Sequence, residues 1–201
     1  MALFSRVATL TLRPFRGYEV LARDWKAEGA DRRFVRVLVG SARLLGVVGA
    51  FVSFTSTGRL SPVDAMLAAG AFTWILGVQA AALFSAKAVT REKLPFLTLA
   101  ALYLEGHGIW LFALLAICGA LLFAPDSLAA VAVVGPVAIL AAFFWGIVTT
   151  VALFRSGVGM SRKRAFAATL TFYAVTTGLV LSYYLLLGQL LPILPFGRMP
   201  P

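Results

Sequence analysis

Long apolar runs make up most of this chain, and short polar blocks separate them. A helix needs about 20 mostly apolar residues to cross a hydrocarbon core of roughly 30 Å. Five stretches meet that length: Val37 to Thr57, Pro62 to Phe84, Pro95 to Phe123, Leu128 to Phe154 and Ala165 to Leu191. Local signals fit these boundaries. Ser61-Pro62-Val63-Asp64 combines a capping hydroxyl, a proline in the first turn and an acid at the third helical position. Pro95 and Pro125 stand where helices start or stop, and Ser161 can cap the fifth helix. In the first stretch, Ala42, Gly46 and Ala50 form one row of small residues, and Gly49, Ser53 and Thr57 form another. Such rows let helices approach closely, within a bundle or across a homodimer.

Residues 1–36 follow a different pattern. Phe15, Tyr18, Leu21 or Ala22, and Trp25 recur at helical spacing, while Arg16, Arg23 and Lys26 take the other side. This predicts a short helix lying in the membrane interface, with its basic groups near anionic lipid. A solvated helix packed on a partner fits the same spacing. The expected fold is therefore all-α, a polytopic membrane helical bundle of about five transmembrane helices with an N-terminal interfacial amphipathic helix. Residues 1–36 form its cytoplasmic segment, 37–191 its membrane domain and 192–201 a Pro-rich tail. No continuous apolar stretch follows the first basic residue, so a cleaved signal peptide is not expected.

Composition supports insertion in a membrane. Hydrophobic residues make up 61% of the chain and charged residues only 13%, with a mean hydropathy of +0.92. A soluble domain carries roughly 25% charged residues, enough to keep its surface solvated. The net charge of +10 would suggest nucleic acid in a soluble protein. Here the basic residues sit in blocks between apolar runs, which removes nucleic acid as a partner and leaves the lipid bilayer. Arg6, Arg13, Arg16, Arg23, Lys26, Arg32, Arg33 and Arg36 precede the first run. Lys87, Arg91 and Lys93 lie between the second and third, and Arg155, Arg162, Lys163 and Arg164 between the fourth and fifth. Arg59 and Arg198 alone fall on the other side. That alternation places the N-terminus in the cytoplasm and the C-terminus outside. The excess of Arg over Lys, with abundant Ala and Gly, suggests a bacterial genome and hence the inner (cytoplasmic) membrane.

Little in the chain supports catalysis. Cys118 is the single cysteine and His107 the single histidine, too few for a thiolate metal site or bis-histidine haem ligation. No metalloprotease, nucleophile-elbow or phosphate-loop pattern occurs. The sequence therefore assigns no catalytic residue, no cofactor and no metal. Ionisable groups at membrane depth need a reason, since each costs at least about 2.5–3.5 kcal/mol to insert. The third run holds Glu105-Gly106-His107-Gly108, whose glycines favour a tilt, a kink or a break. At 1.5 Å per residue, Glu105, Gln79 and Arg43 fall at a similar level, about 7 Å to the cytoplasmic side of the midplane. Three readings follow. Arg43 and Glu105 form a structural pair supported by Gln79, or each is accommodated separately by snorkelling and protonation. Alternatively, Glu105 and His107 handle protons or substrate.

Trp145-Gly146-Ile147-Val148-Thr149-Thr150-Val151-Ala152-Leu153-Phe154 runs into Arg155-Ser156-Gly157-Val158-Gly159-Met160-Ser161-Arg162-Lys163-Arg164-Ala165. This junction resembles that between the fourth and fifth helices of the Yip1-domain family, with its tryptophan, short glycine-serine basic loop and opening alanine. The five-span count, the cytoplasmic N-terminus and the early Leu12-Arg13-Pro14-Phe15 also resemble that family. Glu105-Gly106-His107-Gly108 is not part of the resemblance. The resemblance brings no catalytic residues with it. It implies a non-catalytic scaffold or accessory subunit whose basic face meets lipid headgroups, a membrane-protein partner or a second copy. The expected face comprises Arg16, Arg23, Trp25, Lys26, Arg162, Lys163 and Arg164. The alternative is a small transporter or proton-coupled channel built on the Glu105 and His107 site, although the chain shows no internal repeat.

Overall fold

The computed structural model describes residues 9–28, 34–40, 62–106 and 128–190, with isolated positions at 46–47, 50–51, 54, 58 and 113. Among the described residues every regular element is helical. In chain order, the main ones are α1 (Pro14–Glu28), α2 (Pro62–Thr90), α3 (Phe96–Glu105), α4 (Leu128–Ala152), a π-turn (Leu153–Gly157) and α5 (Arg162–Leu190). Most of the first apolar run, including Arg43 and much of its small-residue rows, lies outside the described residues, as do His107, Cys118 and the tail 192–201.

α2 starts at Pro62, where proline needs no intrahelical donor. It continues past the apolar run, which ends near Phe84, as far as Thr90. The added turns are built from good helix formers, Ala86, Lys87 and Ala88, and Lys87 sits where a cation complements the helix C-terminus. Hydropathy marks apolar length, whereas the hydrogen-bond ladder continues until the backbone turns. That happens at Arg91, whose φ of 51° is left-handed.

α3 begins after Pro95 and is only 10 residues long. Gly106 ends it, with its N–H bonded back to the Tyr103 carbonyl at 3.0 Å. The described part of the 95–123 run is therefore a short helix that stops at the glycine, where an interruption was expected. α4 and α5 match the fourth and fifth runs closely. Ser161 directly precedes α5, and its carbonyl accepts from the Ala165 N–H at 2.9 Å.

Ala132–Gly157 and Arg162–Leu186 are long and apolar enough to cross a membrane. Only 39% and 22% of their most apolar stretches are buried, whereas the core helix of a soluble domain is mostly covered. α2 and α5 make the most extensive helix pair. Several of their hydroxyls bond within their own helices, as with Thr90 Oγ1 to the Ala86 carbonyl at 2.7 Å and Thr169 Oγ1 to the Ala165 carbonyl at 2.9 Å. Such back-bonding satisfies a polar group where no water is at hand.

The tightly packed core lies at one end of the bundle. Leu83, Leu99, Leu102, Leu153, Phe154, Phe172 and Tyr18 are its largest fully buried side chains. They gather where α1 meets the π-turn, and Leu94, Val158 and Met160 of the 91–95 and 158–161 connections belong to or pack against the same cluster.

Candidate functional site

The sequence around Arg13 and Pro14 makes a corner. A helical turn at 9–12 precedes α1, and Leu10 comes within 3.0 Å of where a Cβ on Gly17 would lie. The turn thus folds back onto α1, and Trp145 Nε1 of α4 donates to the Thr11 carbonyl at 2.6 Å to hold it there. Leu10, Pro14, Gly17, Tyr18 and Leu21 form one buried stripe with helical periodicity. This stripe packs on the chain's own π-turn, α4 and α3. Tyr18 and Leu21, expected on the side turned to the membrane interface, are buried against the chain itself. Phe15, expected beside them, is 39% exposed, and Arg16 and Arg23 are exposed. Trp25 and Lys26 belong to α1, but their side chains lie outside the described set.

Tyr18 reaches across two glycines. Its ring lies against Gly157, where an added Cβ would meet Cδ1 at 3.3 Å. Its hydroxyl lies against Gly106, where an added Cβ would overlap it outright. Burial pushes the phenol well above its ordinary value, and the nearby charge of Glu105 adds to the shift. The end of α3 is therefore a seat for α1, with Glu105 beside the Tyr18 ring. Nothing in a periodicity argument would show this, because Gly106 and Gly157 lie on other elements far along the chain.

The π-turn provides the other wall. The Val158 N–H bonds to the Leu153 carbonyl at 2.9 Å, and the Met160 N–H to Phe154 at 3.0 Å. Gly159 follows with a φ of 84°, a left-handed conformation suited to glycine. The widened turn sends Leu153 and Phe154 into the core and leaves Arg155 exposed. Such turns occur frequently at functional sites.

Three adjacent basic residues then divide by role. Arg164 Nη2 donates to the Thr90 carbonyl at 2.5 Å and faces Glu92 Oε2 at 3.5 Å. It thereby ties the 91–95 connection to the start of α5. Arg162 and Lys163 instead point into an open groove of about 570 Å³ with Arg155, walled by Phe15, Val151 and Phe166. Helical phase alone separates these neighbours, so a run of three cations in the sequence conceals the difference. Arg155 is the groove residue that the sequence reading did not single out.

The intramembrane cluster is only partly described. Gln79 lies within α2, about three turns before Thr90, and Glu105 is the last residue of α3. Arg43 and His107 lie outside the described residues. Gln79 Oε1 and Thr176 Oγ1 are buried without a hydrogen-bond partner among the described residues. Comparison with known protein families, with curated proteins and with solved structures finds no match for this chain.

Proposed function

We propose that this chain is a multi-pass membrane protein of Yip1 type that acts as a non-catalytic scaffold or accessory subunit of a membrane assembly. In this reading it spans a bacterial inner membrane about five times, with the N-terminus cytoplasmic and the C-terminus outside. One observation carries the proposal. α1, the 91–95 connection and the 158–161 connection converge at a single tightly packed end, which displays Arg16, Arg23, Arg155, Arg162 and Lys163. The alternation of basic blocks makes that end cytoplasmic. Away from it, α4 and α5 expose Val137, Leu140, Phe144, Leu181 and Leu185, a surface suited to lipid. A built, basic face at the end of apolar helices suits a partner protein or headgroups.

The test is gentle purification from the native membrane, with identification of the proteins that co-purify. The reading expects a stable partner that Arg162→Glu with Lys163→Glu releases, while Arg164 is left intact. Co-purification of the same partners with wild type and variant, with topology unchanged, would remove the basic face from the account.

The second reading, a small transporter or proton-coupled channel, has one observation in its favour. α3 ends at Gly106 directly after Glu105, and helix ends at membrane depth frame binding sites in transporters. It expects Glu105→Gln to abolish a flux into proteoliposomes. Loss of thermal stability with no flux to lose would favour the structural role of Glu105 beside Tyr18.

A further inference from the structure

The groove at the π-turn has the composition of a ligand site. Arg155, Arg162 and Lys163 reach it from two helices, and none of the three has an ion pair or hydrogen bond among the described residues. Three clustered cations repel one another, and the nearby carboxylate of Glu92 is already engaged by Arg164. An anion placed among them would relieve that repulsion. Phosphate suits best, because arginine presents paired donors to its oxygens.

Phe15, Val151, Ala165 and Phe166 form the rest of the lining, and Phe166 is 66% exposed. A free phosphate has no use for such a wall, whereas an acyl chain does. The groove also lies between the two segments of spanning length, which end at Gly157 and resume at Arg162. In a bilayer that is the level of the headgroups.

From this geometry we infer that the groove binds one anionic phospholipid, its phosphate held by Arg155, Arg162 and Lys163 and its acyl chain laid along Phe15 and Phe166. This deepens the proposed function, on whose reading of the basic end as membrane-facing it rests. Phe15 belongs to α1 and the cations to the π-turn and α5, so the lipid would bridge the N-terminal helix to the bundle.

The test uses the full chain in detergent, titrated with phosphatidylglycerol and read by native mass spectrometry. The expected result is one retained lipid per chain, weakened at least tenfold by Arg162→Gln with Lys163→Gln. Arg13→Gln with Lys93→Gln removes the same charge away from the groove and should leave retention unchanged. Phosphatidylcholine with the same acyl chains should bind at least tenfold more weakly. Equal retention by both double variants would overturn the site, and equal binding of phosphatidylcholine would overturn the role of charge. Displacement of the lipid by millimolar inorganic phosphate would overturn the lipid assignment in favour of a free anion. Lipid retained by a chain that co-purifies with no partner would uphold the groove and count against the accessory-subunit reading alone.

Discussion

The two ends of the helices are built by different means. At the basic end, Tyr18, Leu99, Leu153, Phe154 and Ala165 are buried, and side chains bond carbonyls on other elements, as Trp145 does with Thr11 and Arg164 with Thr90. Toward the other end, Val133, Val137, Leu140, Tyr184 and Leu185 are all more than half exposed. Among the described residues, contact there includes the stack of Trp74 on Tyr183 with ring centroids 4.2 Å apart. A broad exposed apolar surface of this kind suits apolar surroundings. One end is closely packed against itself, and the other keeps its apolar side chains outward.

The comparison breaks first at Tyr18. Tyr18→Ala should cost about 3–5 kcal/mol, the range for emptying a buried aromatic site. α1 should detach, and trypsin should then cut at Arg16 and Arg23 far faster than in wild type. Unchanged cleavage would mean that α1 is held by something other than its aromatic seat. Gly106→Ala attacks the same contact from the opposite side. Overpacking of this kind costs about 1–3 kcal/mol, and shortening the opposing side chain with Tyr18→Leu should restore part of the loss. The absence of any rescue in thermal melts of the double variant would disprove the contact.

Arg164→Gln removes a charge-assisted bond to a carbonyl and an ion pair that is half exposed. The loss should be about 1–2 kcal/mol, most of it from the hydrogen bond, since exposed pairs contribute little. Arg162→Gln, at the start of the same basic run, should melt like wild type. Equal effects would erase the division of roles among these neighbours. At the apolar end, Leu140→Ala and Leu185→Ala should each shift stability by no more than about 0.5 kcal/mol. A larger loss would show that protein, not lipid, covers that surface.

The smallest effect at neutral pH comes from the Tyr18 phenol. Its raised value means that the seated side chain stays neutral where a detached one ionises. The stability it contributes is complete below about pH 10, the ordinary phenol value, and declines as pH rises above it. Tyr18→Phe should flatten the alkaline part of a melting-temperature profile, and a profile that keeps its slope would locate the titrating group elsewhere.

Much of the helix framework could be read from residues alone. Pro62, Leu128 and the Ser161-Arg162 step mark helix starts in both sequence and structure, and Gly106 marks a stop. The end of α2 could not, because apolar runs measure lipid-compatible length and not the reach of the backbone ladder. The site was less legible. Periodicity identified an apolar side on α1, but a stripe looks the same whether it meets lipid or the chain's own helices. Tyr18 and Phe15 lie three positions apart, and only packing shows that one is buried and the other lines a groove. The same limit hid Arg155 and made Arg162, Lys163 and Arg164 look alike.

The π-turn at 153–157 amounts to one surplus residue in an otherwise regular helix. Each residue advances the azimuth of an α-helix by about 100°, so the surplus acts as a rotational offset. Above it, α4 keeps an apolar flank along its length. Within it, Arg155 and Gly157 point where a continuous α-helix would not aim them. Deleting a single residue there would keep most hydrogen bonds and nearly all composition. It would still turn the cation away from the groove and the glycine away from Tyr18, uncoupling the N-terminal helix from the bundle by a change of phase alone.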